Sequence, residues 1–249
     1  SGADIVMTVQ GAAVDRLRGI ASGTRLLGLL DPVSGRERVA QYAAAGVEAD
    51  KLVVVPRGVD PAAFPRGHRP SAEWRAMIER QHPALAGVPL LLLPARGTRL
   101  KNHVDAIEVL ARLREAHGIE AGLWLLGARD PGREAYVAEL EALAAKRGVA
   151  ARVAITEPRS DIVDAYGMAA VVLQVSGKPE SFGRTVVEAL SVGVPVAGYA
   201  HGGVGELLRE LLPAGAVALG DVEALAAVVA NWLRHPPEVP SPARYRLAQ

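Results

Sequence analysis

Cysteine is absent from all 249 residues, which removes disulfide frameworks, thiolate metal sites and cysteine nucleophiles at once. The absence fits a reducing compartment, so the cytoplasm is the expected location. An excess of one charge is also missing. Lys plus Arg number 28 and Asp plus Glu 27, so no long-range field marks a nucleic-acid binder, and any anion must be recognised locally. Long apolar runs are lacking too. Val88 to Pro94 and Met168 to Val175 are far shorter than a membrane span, which leaves peripheral contact, at the inner face of a membrane, as the only membrane association open. The chain starts Ser1-Gly2-Ala3-Asp4 and runs directly into Ile5-Val6-Met7-Thr8-Val9 with neither methionine nor leader, which reads as a truncated beginning.

Half of the residues are apolar, enough for one substantial core. From Leu90 onward short apolar runs alternate with amphipathic stretches, the pattern of repeated βα units feeding a parallel sheet. The runs are Leu90 to Leu93, Leu123 to Leu126, Val153 to Ile155, Val171 to Val175 and Pro195 to Tyr199, with a weaker one at Ala216 to Leu219. Helices are expected from Asn102, as N-cap, to about Ala116, and over 133–147, 161–166, 184–192, 204–212 and 222–233. The fold class is therefore α/β, a Rossmann-like doubly wound parallel sheet.

Residues 1–60 differ. Strands at Ile5 to Val9 and Leu52 to Val55, with helices near 12–18 and 37–45, are too little for a domain and read as the remnant of one. A Pro-, Arg- and Gly-rich stretch to Pro70 behaves as an interdomain crossing. The expected division is thus a remnant and crossing over 1–60, a ligand-binding domain over 61–235, and a proline-rich tail or linker over 236–249.

In an open parallel sheet ligands bind beyond the carboxyl ends of the strands. Two loops there carry chemistry. Pro94-Ala95-Arg96-Gly97-Thr98-Arg99-Leu100-Lys101-Asn102 sets two cations, Arg96 and Lys101, beside a helix N-terminus, which suits a diphosphate as well as it suits a solvated basic loop. Ser176-Gly177-Lys178-Pro179-Glu180-Ser181-Phe182-Gly183-Arg184-Thr185-Val186-Val187-Glu188 joins a buried strand to a helix. Gly183 there opens the helix N-terminus to an anion, and Glu180 and Glu188 offer acceptors to a hydroxyl-rich ligand, though by themselves two glutamates eight apart read equally as a loop charge and an ordinary helix residue. A Gly-x-Gly-x-x-Gly turn after an early strand is missing, which excludes an NAD-dependent dehydrogenase. His103 and His117 read as structural residues at the two ends of one helix. His201, before Gly202-Gly203, reads equally as a sugar contact and as a solvated loop residue.

Pro179 to Val196, with Glu180 and Glu188 as Glu-x7-Glu, resembles the hallmark of the retaining GT-B glycosyltransferases of the family 4-like, group 1 type. Val55-Pro56-Arg57-Gly58-Val59-Asp60, the Arg96 and Lys101 loop, Leu126-Gly127 and Gly202-Gly203-x-x-Glu206 resemble further pieces of that pattern in order and spacing. The resemblance spans nearly the whole chain and implies the C-terminal half of a GT-B fold with the end of its N-terminal acceptor domain.

Residue by residue, the resemblance implies that Arg96 and Lys101 neutralise a donor diphosphate, which Gly183, Arg184 and Thr185 meet through backbone N–H groups. Glu188 would hold the ribose hydroxyls, Glu180 would contact the donor sugar, and Glu157-Pro158-Arg159 would lie against the nucleobase. Ser181, Phe182, Gly202 and Gly203 complete the donor set. The implied partners are a nucleoside-diphosphate sugar and an acceptor glycan, lipid or small molecule, with a lean toward cell-envelope glycans. No cofactor is implied, and the chain has no Asp-x-Asp pair of the kind that holds a divalent ion in transferases of another fold. Retention follows from the resemblance alone. The fragment is expected to bind nucleotide and to transfer sugar poorly by itself. Two other readings stand beside this one: a non-catalytic nucleotide-sugar-binding or assembly module, pairing as a homodimer through the exposed remnant, and another GT-B enzyme such as a nucleotide-sugar epimerase.

Overall fold

The computed structural model describes residues 57–247 together with the backbone of three short strands before them. The chain divides into two compact units, Ser1–Gly58 and Val59–Gln249. In the first unit β1 (Ile5–Met7), β2 (Leu26–Gly28) and β3 (Leu52–Val54) pair in parallel in that order. The middle strand was not expected from its two leucines and glycine. The helices anticipated near 12–18 and 37–45, and the side chains through which a dimer was expected, lie outside the described residues.

The second unit is a six-stranded sheet of order β6-β5-β4-β7-β8-β9, every pair parallel. Its strands are β4 (Leu90–Pro94), β5 (Gly122–Leu126), β6 (Val153–Thr156), β7 (Val171–Gln174), β8 (Val196–Tyr199) and β9 (Ala216–Val217). Seven α-helices connect or flank them: α1 (Ala72–Gln81), α2 (His103–His117), α3 (Glu134–Lys146), α4 (Ile162–Met168), α5 (Arg184–Val192), α6 (Gly202–Leu211) and α7 (Val222–Arg234). The expected α/β doubly wound class is the one found. Central strands β4, β5 and β7 are buried almost throughout, because helices cover both faces. Trp124, fully buried on β5, keeps its indole N–H satisfied by Thr156 Oγ1 at 2.9 Å.

Three expectations need correction. Helix α1 is absent from the expectations although its cap is legible: Ser71 accepts from Trp74 N–H at 3.1 Å and Glu73 sits in the first turn, but the Pro-rich approach masks the helix. Asn102 precedes α2 but does not cap it with its side chain. It stands in the left-handed region at φ 54°, and its amide donates to Asp105 Oδ2 at 2.6 Å. Residues 236–247 are not a free tail or linker. Val59 N–H donates to Tyr245 O at 2.7 Å and Leu247 N–H to Val59 O at 3.0 Å, while Val239 and Tyr245 are buried. The prolines keep the segment from a longer helix, leaving one 3-10 turn at Ala243–Tyr245, and its apolar side chains close the domain.

Strand order places the switch point between β4 and β7. From β4 the chain proceeds outward through β5 to β6, then returns to the other side of β4 as β7 and continues outward to β8 and β9. The loops after β4 and β7 diverge from that point and leave a crevice between their strands' carboxyl ends.

Candidate active site at the switch point

The two loops singled out by chemistry are the ones that flank this crevice. Lys101 follows β4 and Glu180 follows β7, and Nζ of the first lies 2.6 Å from Oε1 of the second. Ser176, at the end of β7, sets its hydroxyl against the same Glu180 oxygen and against Gln174 Oε1 at 3.1 Å. Gln174 in turn donates to Thr185 Oγ1 at 2.7 Å, in the first turn of α5. A continuous polar chain thus links the loop cation, the loop carboxylate, the strand end and the helix start.

Helix α5 opens onto the same place. Gly183 is its N-cap at φ 90°, a backbone conformation that disfavours side chains, and no side chain caps it. The first N–H groups and the positive end of the helix dipole are therefore available to an anion. Arg184 is mostly exposed at this end. Its guanidinium reaches Glu188 Oε1 at 2.9 Å, while the other oxygen, Oε2, accepts from buried Tyr166 at 2.9 Å. Glu188 is only 8% exposed, so the carboxylate is no ordinary surface helix residue.

Arg96, in the loop after β4, is exposed and has no ion-pair partner among the described residues, unlike Lys101. Ser181 is exposed on the loop. Phe182 is buried, its ring 5.8 Å from that of Tyr245, so it can offer a ligand only its backbone. Gly202 and Gly203 begin α6 directly beneath the Glu180 loop. Gly203 N–H donates to Glu180 O at 2.8 Å, and a Cβ on Gly203 would stand 2.7 Å from Phe182 Cα. These glycines bring two backbones together and seat Glu180. His201 does similar work: its ring N–H donates to Ser176 O at 2.7 Å.

Pro158 is exposed on the loop after β6, the edge strand separated from β4 by β5. Arg159 turns away from it, paired with Asp161 at 2.6 Å and stacked over Trp74 at 5.8 Å. Asp161's carboxyl is held below the usual carboxylate range chiefly by the Arg159 hydrogen bonds. His103 is fully buried, with Nε2 3.4 Å from Ala95 O and Nδ1 3.4 Å from Tyr136 OH, and burial lowers its pKa to about 4. Buried and neutral, it has its ring nitrogens facing Ala95 O and Tyr136 OH. A separate cleft of about 320 Å³ lies along β6, bounded by residues such as His82, Arg129 and Glu141, none of them in the switch-point loops.

Sequence reasoning missed Tyr166, Ser176, Gln174 and the Asp105–Tyr199 pair, in which Tyr199 OH donates to Asp105 Oδ2 at 2.5 Å beneath Asn102. Their roles depend on which strand ends meet, and local spacing carries no such signal.

The doubly wound parallel domain brings Lys101, Glu180 and the uncapped start of α5 together at its switch point, and its fold is that of GT-B glycosyltransferases. The chain belongs to the family described as "Glycosyl transferases group 1", whose model matches residues 75–247. It is 35% identical over 161 residues to a D-inositol 3-phosphate glycosyltransferase of Xylanimonas cellulosilytica, covering 64% of this chain and 37% of that protein. It is 31% identical over 206 residues to a 2-deoxystreptamine glucosyltransferase of Streptomyces kanamyceticus, covering 82% and 51%. Among solved structures, Anabaena Alr3699/HepE in complex with UDP and glucose superposes with a TM-score of 0.69 at 22% identity, over 92% of this chain and 62% of that one. The chain thus spans between about a third and a half of the length of the two curated relatives. No helix among the described residues is long and apolar enough to cross a membrane.

Proposed function

We propose that this chain is the donor-binding part of a retaining glycosyltransferase of the Glu-x7-Glu type, which moves a sugar from a nucleoside-diphosphate sugar to a hydroxyl acceptor. The observation that carries the reading is the meeting of Lys101 and Glu180 across the switch point, beside the uncapped start of α5. Departure of a nucleoside diphosphate needs charge stabilisation on the leaving phosphate and on an oxocarbenium-like sugar. Arg96, Lys101 and the α5 N–H groups serve the first requirement without a metal ion. Glu180, the acceptor nearest Lys101, serves the second from the sugar side. Glu188, one helical turn inside α5, is suited to the ribose hydroxyls, and exposed Pro158 to the base.

The structural relative bound to UDP and glucose supports a nucleotide-sugar donor and makes uridine the first base to test. The two curated relatives are named for small polar acceptors, D-inositol 3-phosphate and 2-deoxystreptamine. They favour a small-molecule acceptor over a cell-envelope glycan or lipid.

Calorimetric titration with UDP, GDP and ADP and their sugar conjugates, in EDTA, tests the donor role on wild type and Glu188→Ala. One diphosphate binding in the absence of metal, and weakened about tenfold or more by the substitution, is expected for loss of a hydrogen bond to a charged group. Absence of binding at millimolar concentration, or binding only after magnesium is added, would overturn it.

A further inference from the structure

We infer that Tyr166 is a positioning residue that locks the Glu188 carboxylate in the orientation from which it takes the ribose diol. The inference rests on the donor reading above. Tyr166 lies on α4 and has no exposed surface, yet its hydroxyl reaches across to Glu188 Oε2 at 2.9 Å. Its ring is wedged edge-on by Phe64, centroids 6.0 Å apart, and Phe64 is itself tied to α5 by Ser191 Oγ donating to its carbonyl at 2.7 Å. The phenol therefore has little freedom to follow the carboxylate; the carboxylate must come to it. Burial, reinforced by the Glu188 charge, raises the phenol's pKa well above its ordinary value, so it stays a donor at any working pH.

The two oxygens of Glu188 have unequal partners. Oε2 is held from the interior by an immobile hydroxyl. Oε1 is held from outside by Arg184, whose side chain is 65% exposed and can swing away. A carboxylate offers about four acceptor positions, so Tyr166 uses one and leaves Oε1 to a ligand once Arg184 yields. Without Tyr166, the Glu188 carboxylate would keep only Arg184, its exposed i−4 neighbour, to set its orientation, and three rotatable bonds would be left without an interior anchor. Fixing the rotamer beforehand lowers the ordering cost of binding.

The test crosses a protein change with a ligand change. Among UDP, GDP and ADP, the diphosphate that binds is titrated beside its 2′,3′-dideoxy counterpart, on wild type, Tyr166→Phe and Phe64→Leu. Wild type is expected to prefer the diol by about tenfold or more, the worth of a hydrogen bond to a charged acceptor. Tyr166→Phe is expected to cut that preference by about threefold or more while leaving the dideoxy Kd unchanged. Phe64→Leu, which loosens the ring and keeps the hydroxyl, should move it in the same direction.

An unchanged preference in a folded Tyr166→Phe protein would overturn the assignment. So would equal weakening toward both ligands, which signals general loosening. If wild type itself does not distinguish the two ligands, or binds none of the three diphosphates, the ribose role of Glu188 fails and takes this inference with it.

Discussion

Lys101 and Glu180 are 79 residues apart in the chain, and their side chains meet at 2.6 Å where the loops after β4 and β7 diverge. About a fifth of each side chain is exposed, so the pair is partly shielded from water. The two groups neutralise each other. On the donor reading proposed above, a diphosphate competing for Lys101 would release Glu180 toward the sugar and so couple donor binding to the arrangement of the carboxylate.

Replacing Lys101 by alanine should therefore separate phosphate recognition from nucleoside recognition. The Kd for the diphosphate is expected to rise about tenfold or more, as for loss of one charge-assisted hydrogen bond, while the Kd for the bare nucleoside stays unchanged. Calorimetry on both ligands checks it; equal weakening of the two would mean that Lys101 shapes the site and does not bind phosphate.

Gly203 seats the Glu180 loop by close backbone approach. In Gly203→Ala the new Cβ would stand 2.7 Å from Phe182 Cα, a contact that one of the two backbones must relieve by moving. The expected cost is roughly 1–3 kcal/mol of stability, together with loss of diphosphate binding. Chemical denaturation and titration of the same sample read both; wild-type values for each would refute the seating role.

Asn102 is the one non-glycine residue with positive φ among the described residues, and it follows Lys101 directly. Asn102→Gly should lose only the Asp105 hydrogen bond, about 1 kcal/mol, and bind as wild type. Asn102→Val is expected to lose roughly 1–2 kcal/mol beyond that, the usual strain of a side chain in the left-handed region, and to weaken diphosphate binding by displacing Lys101. The contrast between the two variants in urea melts decides the point.

His103 makes stability depend on pH in the acid range. Its pKa is lowered to about 4, chiefly by burial, so between that value and the ordinary value near 6.5 the unfolded chain holds a proton that the folded chain does not. Stability contributed by the neutral ring is present above about pH 6.5 and falls as pH drops toward 4, by roughly 3 kcal/mol at most. His103→Gln should show a shallower loss of stability over that interval, whatever its stability at pH 8. Parallel curves for the two proteins would contradict the burial of a neutral imidazole.

The final segment is expected to act as part of the domain. Tyr245 OH donates to Glu210 Oε2 at 2.7 Å and its ring packs on Phe182, so Tyr245→Ala should cost about 3 kcal/mol and loosen the loop that carries Glu180. Differential scanning calorimetry and a diphosphate titration measure the two effects, and a wild-type melting curve would show the segment to be dispensable.

By itself the sequence determined the layered α/β domain, because continuous apolar runs such as Leu90 to Leu93 and helices with one apolar face are local signals of a parallel sheet covered on both sides. It also determined which residue types stand at the strand ends, since cations, glycines and glutamates cluster in two loops that the alternation of strand and helix already assigns there. The Pro-rich approach masks helix α1, and strand β2, at three residues, is too short for periodicity to register it. Tertiary structure alone decided that β7 returns beside β4, and hence that Lys101 faces Glu180. Strand order is a property of long-range pairing and leaves no period in the chain. The same holds for Tyr166 behind Glu188 and for Tyr245 beneath Phe182: each is an ordinary aromatic residue in its own segment, and its role comes from the element packed against it.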